Sequence, residues 1–212
     1  MSLPDLIRIT MKLVLITHPS FFPEEAAIIN SLFDAGLDIL HLRKPNSDQS
    51  QCEQLLTKID KQWYDRIVVH DHFCLKDTYH LKGIHLNRRN LEIPDNYTGH
   101  ISHSCHSIKE VEIWKNKCNY VFLSPIFNSI SKKGYMSNFS EQDIINARQA
   151  GVIDDRIIAL GGIDINNIYQ IKSYGFGGAA IMGGLWNLFS EDMPRDTHIA
   201  TKYLKKLYAA VD

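Results

Sequence analysis

Short runs of β-branched and other apolar residues recur along the chain and alternate with segments of helical spacing. Eight runs fit this pattern: KLVLIT, DILHLR, RIVVHD, GIHL, HISHS, YVFLS, RIIALGG and GAAIMGG. Each run is typical of a short strand, and the spacing between most of them leaves room for a helix. Strands that alternate with helices predict a parallel sheet joined by right-handed crossovers.

Capping signals mark the ends of several helical segments. Ser107 and Glu110 have the spacing of a capping box, and Ser140 opens the next helix. Three helices end at a glycine, namely at Gly36, Gly151 and Gly175. The connection between GIHL and HISHS is too short for a long helix, so the βα unit after the fourth strand is predicted to be degenerate.

Eight strands in this rhythm favour closure into a small (β/α)8 barrel, a TIM barrel of the α/β class. An open doubly wound sheet is the alternative, but no GxGxxG follows the first strand and polar residues cluster after nearly every strand. No linker or low-complexity tract divides the chain. We therefore expect one TIM-barrel domain over residues 12–212, with residues 1–11 as an extension outside the fold.

Composition narrows the classes of partner. The chain of 212 residues has a formal net charge of −1, which gives no general attraction to nucleic acid or to an anionic membrane. Its four cysteines form no CxxC pair, so we expect reduced thiols and a cytoplasmic protein. No apolar run approaches the length of a membrane-spanning helix. The expected partners are therefore small molecules.

Polar residues gather where the predicted strands end, and in a TIM barrel those ends carry the function. Seven of the ten histidines lie at or beside them: His18, His41, His70, His72, His85, His103 and His106. For any single histidine, a place in the barrel core or at a helix cap is an equally good explanation. The spacing contains no HExxH or comparable motif, so a dedicated zinc site is not predicted.

Two glycine pairs end the seventh and eighth strands, in ALGGI and IMGGL. Small barrels often bind phosphate with these loops, because glycine lets backbone N–H groups approach an oxyanion closely. Tight turning and close packing are the alternative reason for glycine. A third stretch, VFLSPIFNSISKKG over residues 121–134, turns from apolar to rich in serine and lysine after Pro125. By itself it fits a solvated turn at least as well as an anion-binding loop.

The motifs LHLRK, VVHD, GIHL, SHSCHS, NYVFLSPIFNSISKKG and IIALGGI follow one another in this order. In sequence and order they resemble the thiamine-phosphate synthase and thiazole tautomerase superfamily, from Lys12 to about Leu188. Synthases of this superfamily are Mg²⁺-dependent barrels that join a pyrimidine methyl diphosphate to a thiazole phosphate and release diphosphate. The resemblance implies a transferase of thiamine biosynthesis with these two small-molecule substrates, and it is compatible with a homodimer.

The resemblance also implies roles for individual residues. Arg43 and Ser104 match diphosphate contacts of the family, and Asp71 matches its Mg²⁺-binding aspartate after the third strand. The remaining matches are to groups that hold phosphate: Ser129, Ser131, Lys132, Gly162, Gly183 and Gly184. Lys132 would act as a point charge on phosphate and is also counted among the catalytic residues. With these matches, residues 128–133 are expected to form an anion-binding loop rather than a plain turn.

Four positions depart from the family pattern. His41 replaces a glutamine, Pro45 a lysine (with Lys44 one place early), His70 an asparagine and Asn90 the second Mg²⁺-binding aspartate. We expect His41, Lys44 and His70 to contact substrate, and Asp71 and Asn90 to form a weakened Mg²⁺ site. An amide in place of a carboxylate removes one full ligand charge at a cation that prefers anionic oxygen. Arg88 and Arg89 nearby fit either a diphosphate contact or an exposed basic turn.

Two other functions stay open. Thiazole tautomerases also have a weakened metal site, but they use a histidine in the sixth-strand turn, where this chain has Pro125. For that reaction His106, His41 or His70 would have to be the acid/base, and the sequence does not decide among them. A non-catalytic binder or regulator that recognises thiazole phosphate accounts for the same departures. The matches favour the transferase over the isomerase.

Overall fold

The computed structural model describes residues 11–128, 137–189 and 195–212. Eight parallel strands pair in chain order, and the last returns to the first, which closes the barrel. The strands are β1 (Lys12–Ile16), β2 (Ile39–Leu42), β3 (Ile67–Val69), β4 (Gly83–Leu86), β5 (His100–Cys105), β6 (Tyr120–Leu123), β7 (Ile157–Leu160) and β8 (Gly178–Ile181). Each coincides with one of the eight predicted runs, β5 extending one residue beyond its run, so the predicted (β/α)8 TIM barrel is confirmed.

Helices connect most of the strands. They are α1 (Glu25–Asp34), α2 (Gln49–Leu56), α3 (Cys74–Thr78), α4 (Ile108–Trp114), α5 (Glu141–Gln149), α6 (Ile168–Ser173), α7 (Gly183–Trp186) and α8 (Thr197–Val211), with a 3-10 helix at Lys61–Arg66. Residues 87–99, between β4 and β5, form turns with one antiparallel bridge between Asn87 and Asn90. Within the described ranges, no helix combines the length and the apolar character needed to cross a bilayer.

Side chains cap the helices at two of the predicted starts. Ser107 accepts a hydrogen bond from the Glu110 backbone N–H at 3.2 Å, as its spacing indicates. The Glu110 carboxylate, however, accepts the backbone N–H of His106 instead of closing the box on Ser107. Ser140 and Asp143 form a complete capping box at the start of α5. Local sequence therefore sets these helix starts, and the Glu110 carboxylate binds the backbone just after β5 instead of capping α4.

The barrel encloses one apolar cluster and is wrapped by a larger one. The inner cluster consists of Val14, Ile16, Ile39, Val68, Tyr120, Phe122, Ile158 and Ala180. The outer cluster lies between strands and helices and includes Leu32, Phe33 and Leu204. Both faces of most strands are thus covered, which explains why these strands appear as continuous apolar runs, whereas β5 is polar in sequence and partly exposed. Met11, which the sequence analysis placed in the extension, also packs in the outer cluster at 5% exposure.

Candidate active site

A cavity of about 490 Å³ opens where the strands end, at the barrel face that carries function in TIM barrels. Its apolar walls come from Ile16, Trp114, Phe122, Leu160 and Met182. Arg43, Arg88 and Arg89 also line it. Among the described residues of the lining, Glu110 carries the only carboxylate. The cavity therefore has an excess of positive charge and is suited to an anionic ligand.

Arg43 reaches this cavity from the end of β2. The buried Thr17 hydroxyl accepts the Arg43 backbone N–H and donates to the Arg43 carbonyl, each at 2.9 Å. These two bonds fix the backbone from which the guanidinium extends. Burial lowers the pKa of Arg43, the nearby Arg89 lowers it further, and Asp71 opposes both. The guanidinium nevertheless stays charged, because its ordinary pKa lies far above neutrality.

Three buried histidines converge inside the barrel beneath the cavity. His41 Nδ1 lies 2.8 Å from His70 Nε2, and His41 Nε2 lies 2.6 Å from the Tyr120 hydroxyl. The ring of His85 stacks on His70 with centroids 4.1 Å apart. Burial lowers the pKa of each of these histidines well below its ordinary range, so all three are neutral near pH 7. Of the three, His70 lines the cavity itself.

His85 links this cluster to the serines of β5. Its Nδ1 lies 2.8 Å from Ser102 Oγ, and its Nε2 lies 2.8 Å from Ser104 Oγ. Ser104 also lines the cavity, so His85 orients a hydroxyl that the family resemblance links to diphosphate. The nitrogens of His41, His70 and His85 lie close enough to hold a metal ion. Both nitrogens of His41 and both of His85 already have hydrogen-bond partners, which argues against that use.

His106 lines the cavity beside the turn that follows β6. Its Nδ1 is 3.2 Å from the carbonyl oxygen of Ser124 and 3.3 Å from the Ser124 hydroxyl. Ser124 precedes Pro125, which also lines the cavity. His106 therefore brings an imidazole from β5 to the turn in which the family's tautomerases carry their histidine.

Asp71 and Asn90, the expected Mg²⁺ ligands, lie together but bind each other. Asn90 Nδ2 donates to Asp71 Oδ1 at 2.9 Å and to the His70 carbonyl at 3.0 Å. Arg89 donates from Nε and Nη2 to the two carboxylate oxygens of Asp71, at 3.2 and 3.0 Å. Mg²⁺ needs oxygen ligands with free lone pairs, whereas Asp71 here faces three N–H donors. In this arrangement, the two residues do not fit a Mg²⁺ site.

Lys44 is not brought into the cavity. Its ammonium lies 2.6 Å from the carboxylate of Glu25 in α1, and the two side chains are each 1% exposed. The same nitrogen donates to the carbonyl oxygens of His18 and Ser20 at 2.8 and 3.0 Å. All three of its N–H donors thus have buried or partly buried acceptors. The expected substrate contact by Lys44 is replaced by a structural ion pair.

Close packing accounts for two of the predicted phosphate-loop glycines. Gly162 has a φ of +66°, and a Cβ there would lie 2.8 Å from Phe127 Cβ and nearer still to the Asn128 carbonyl. A Cβ on Gly184 would lie 2.7 Å from the carbonyl oxygen of Ile163. Gly183 begins the single-turn helix α7. Ser129, Ser131 and Lys132 fall outside the described residues, so the anion-binding loop stays a prediction.

The sequence analysis did not single out several residues of the site. Tyr120 binds His41, Asn87 donates to the carbonyls of His70 and His85, and Trp114 stacks on His103 with centroids 4.0 Å apart. Alternate residues of a strand point to the same side, and in β6 Tyr120 and Phe122 share the inward face. This alternation is the one feature of the sequence that could have predicted the position of Tyr120. A strand that is apolar on both faces hides this signal, since its inward and outward residues look alike.

A profile of the thiamine monophosphate synthase family matches residues 13–185, which is most of the chain. The chain belongs to this family. The superfamily indicated by the sequence motifs is thereby confirmed. A crystal structure of thiamine phosphate pyrophosphorylase from Bacteroides thetaiotaomicron is 44% identical, with a TM-score of 0.86 over 94% of this chain and 97% of that one.

More distant relatives agree with the family. The thiamine-phosphate synthase of Yersinia pestis is 26% identical over 167 residues, covering 74% of this chain and 77% of the relative. That of Thermoplasma acidophilum is 24% identical over 172 residues, covering 76% and 78%. A thiamine phosphate pyrophosphorylase structure from Pyrococcus furiosus, 18% identical with a TM-score of 0.73, covers 96% of this chain and 98% of that one and supports the fold alone.

Proposed function

We propose that this chain is a thiamine-phosphate synthase-like transferase, which joins a pyrimidine methyl diphosphate to a thiazole phosphate. One observation carries the proposal. Arg43, at the end of β2, and Ser104, at the end of β5, match the family's diphosphate contacts and line the same cavity. They lie far apart in the chain, so their meeting is a property of the barrel and not of a local motif.

The cavity suits the proposed reaction in charge and in size. As the C–O bond of the pyrimidine methyl diphosphate breaks, its electron pair leaves with the diphosphate, and the thiazole nitrogen forms the new C–N bond. Guanidinium groups at the leaving group stabilise the negative charge that develops there. The apolar walls, including Phe122 and Leu160, exclude water from the reacting carbon. A volume of about 490 Å³ lies within the range of small-molecule sites.

The thiazole phosphate part of the proposal rests on the sequence. Ser129, Ser131 and Lys132 supply hydroxyl and ammonium groups of the kind that hold phosphate, and Gly162, Gly183 and Gly184 supply backbone N–H groups. Fixing the phosphate would orient the ring nitrogen toward the pyrimidine carbon. A cytoplasmic location and a homodimer likewise remain predictions.

Incubating the purified protein with both substrates tests the transferase directly. We expect thiamine phosphate and diphosphate to appear in equal amounts, in assays run both with Mg²⁺ and with EDTA. Arg43→Gln should lower the rate by about a hundredfold or more, because it removes a charged donor at the leaving group. Arg66→Gln is the matched control, since Arg66 stacks on Trp63 and does not line the cavity. Absence of thiamine phosphate above background under both conditions would exclude the transferase.

A second function, thiazole tautomerisation, is favoured by the position of His106. Its imidazole lies against Ser124 and borders the same cavity as Arg43, next to the turn where the family's tautomerases carry their acid/base. From this position it is placed to move a proton between two atoms of a bound ring. His70, which also lines the cavity, is the other candidate.

Conversion of one tautomer of a thiazole carboxylate phosphate into the other, followed spectroscopically, separates the two functions. For a tautomerase, His106→Gln should lower the rate by about 10²- to 10⁴-fold, the usual contribution of general acid–base catalysis. For the transferase, the same variant should keep most of its rate. Tight binding of thiazole phosphate with turnover in neither assay would support the non-catalytic binder instead.

A further inference from the structure

The carboxylate of Asp71 already has a cationic partner. Arg89 binds both of its oxygens, with donor–acceptor distances of 3.2 and 3.0 Å. A two-point contact of this kind holds a guanidinium in one orientation and is among the stronger charged hydrogen bonds. Arg89 is a residue of this chain, so its charge is always present at the site.

The turn that follows β4 holds Arg89 in place. The Arg89 backbone N–H donates to Asn87 Oδ1 at 2.9 Å. Asn87 is itself 9% exposed, and its amide nitrogen donates to the carbonyl oxygens of His70 and His85 at 3.1 and 3.3 Å. The chain thus connects β3, β4 and the turn through one buried amide. Arg89 is therefore positioned by the fold and is not a loose surface side chain.

The orientation of Asn90 follows from its neighbours. Its two close partners, the His70 carbonyl and Asp71 Oδ1, are both acceptors. The amide must therefore present its nitrogen to Asp71, because an oxygen there would face two other oxygens. Asn90 acts as a donor that orients the carboxylate.

The family's site of two aspartates with Mg²⁺ and the group of Asp71, Asn90 and Arg89 have the same net charge. Two aspartates and one Mg²⁺ carry no net charge together, and neither do Asp71, Asn90 and Arg89. The change of the second aspartate to Asn90 removes one negative charge, and a guanidinium of one positive charge then balances Asp71. Arg43 and Arg88 border the same cavity and add the positive charge that an anion needs.

We propose that Arg89 takes the place of the divalent cation, so that the cavity binds diphosphate through its arginines without Mg²⁺. The identity of the anion rests on the proposed function. Two of the five N–H donors of the Arg89 guanidinium bind Asp71, which leaves three for phosphate oxygens. The Arg89 side chain is 45% exposed and lines the cavity, so these donors are accessible to a ligand.

Calorimetric titration of the whole chain with inorganic diphosphate tests this proposal without any turnover. We expect binding in EDTA with an affinity comparable to that in Mg²⁺. Arg89→Gln should weaken the binding in EDTA by about ten- to a hundredfold, because it removes a charged donor. Arg156→Gln is the matched control: Arg156 is 41% exposed and paired with Asp154, but it does not line the cavity. Its affinity for diphosphate should equal that of the unchanged protein.

The double variant Arg89→Ser, Asn90→Asp restores a pair of carboxylates and should bind diphosphate only when Mg²⁺ is present. The proposal is overturned if the unchanged protein binds diphosphate only in the presence of Mg²⁺. It is also overturned if the Arg89→Gln variant binds diphosphate as tightly as the unchanged protein. Failure of the transferase is a separate result, since it would appear as diphosphate binding in EDTA without formation of thiamine phosphate. Thermal unfolding of each variant checks that the substitutions leave the barrel folded.

Discussion

The ammonium of Lys44 lies 2.6 Å from the carboxylate of Glu25, and the two side chains are each 1% exposed. The pair joins the loop after β2 to the first turn of α1, and it lies beneath the loop that contains His18 and Ser20. A buried ion pair depends on both partners, because either charge alone would be left without water. In this chain, the lysine that follows Arg43 therefore stabilises the barrel.

Lys44→Met should lower the free energy of unfolding by about 3–5 kcal/mol, because it leaves the Glu25 carboxylate buried and unpaired. The double variant Glu25→Leu, Lys44→Met should recover most of that loss. Lys76→Met breaks a pair whose aspartate is 77% exposed and should cost about 1 kcal/mol or less. Urea unfolding measures all three. A Lys44→Met protein of normal stability that binds phosphate weakly would show that Lys44 is a substrate contact after all.

Gly162→Ala should be more damaging than the same change at Gly151. Both glycines have positive φ, at +66° and +71°, so alanine costs about 1–2 kcal/mol at either site. Around Gly151 no atom lies within 4 Å of the added methyl group, whereas at Gly162 it would collide with Phe127 and Asn128. The collision should add about 1–3 kcal/mol and displace the loop after β6, which weakens binding of thiazole phosphate. Equal losses of stability in urea for the two variants would contradict this account.

Tyr120→Phe should destabilise the barrel by about 1–3 kcal/mol, because it removes the hydroxyl 2.6 Å from His41 Nε2 and leaves that nitrogen buried without a partner. Tyr64→Phe, which removes a hydroxyl bound to the Leu56 carbonyl outside the barrel, is the control. Nitrogen NMR of the imidazoles provides a second measurement. The resonances of His41 should shift in Tyr120→Phe and stay in place in Tyr64→Phe.

Stability should decrease as the pH falls below about 6.5, because burial lowers the pKa of His41 and His85 well below that value and that of His100 to about 4. In this range, the unfolded chain takes up protons at these histidines that the folded chain does not, so acid favours unfolding. Glu25 acts in the opposite direction, because burial raises the pKa of its carboxyl to about 7 and the folded chain is protonated there first, but it is one group against three histidines. Each histidine contributes up to about 1.4 kcal/mol per pH unit, and nothing above its unfolded pKa.

Comparing the pH dependence of the unchanged protein with that of a variant isolates the contribution of one of these histidines. Between about pH 6.5 and pH 4.5, His100→Leu should reduce the slope of the unfolding free energy against pH by up to the amount that corresponds to one proton. The unchanged protein, measured over the same pH series, is the reference. Urea unfolding over the pH series measures both. A dependence that is the same in His100→Leu as in the unchanged protein would rule out the role of this imidazole.

The sequence by itself determined the barrel and the family. Apolar runs, helix caps such as Ser140 and Asp143, and the order of the motifs are local features, so they can be read along the chain. The family resemblance then assigned diphosphate contacts to Arg43 and Ser104, which follow or end strands, and the structure brings both to one cavity. The anion-binding loop with Ser129, Ser131 and Lys132 was predicted from the family resemblance alone and lies outside the described residues.

Only the tertiary structure decided which groups pair. Lys44 pairs with Glu25, His41 binds Tyr120, and Arg89 and Asn90 both bind Asp71, over separations of 18 to 79 residues. Motif matching assigns a role to a residue type, whereas the role of a charge or an amide depends on the acceptor or donor that the fold brings to it. Asn90 occupies a position of the family's site and Lys44 adjoins one, yet each binds a group of this chain. The physical reason is that an ion pair or a hydrogen bond forms between atoms that are close in space, whatever their distance along the chain.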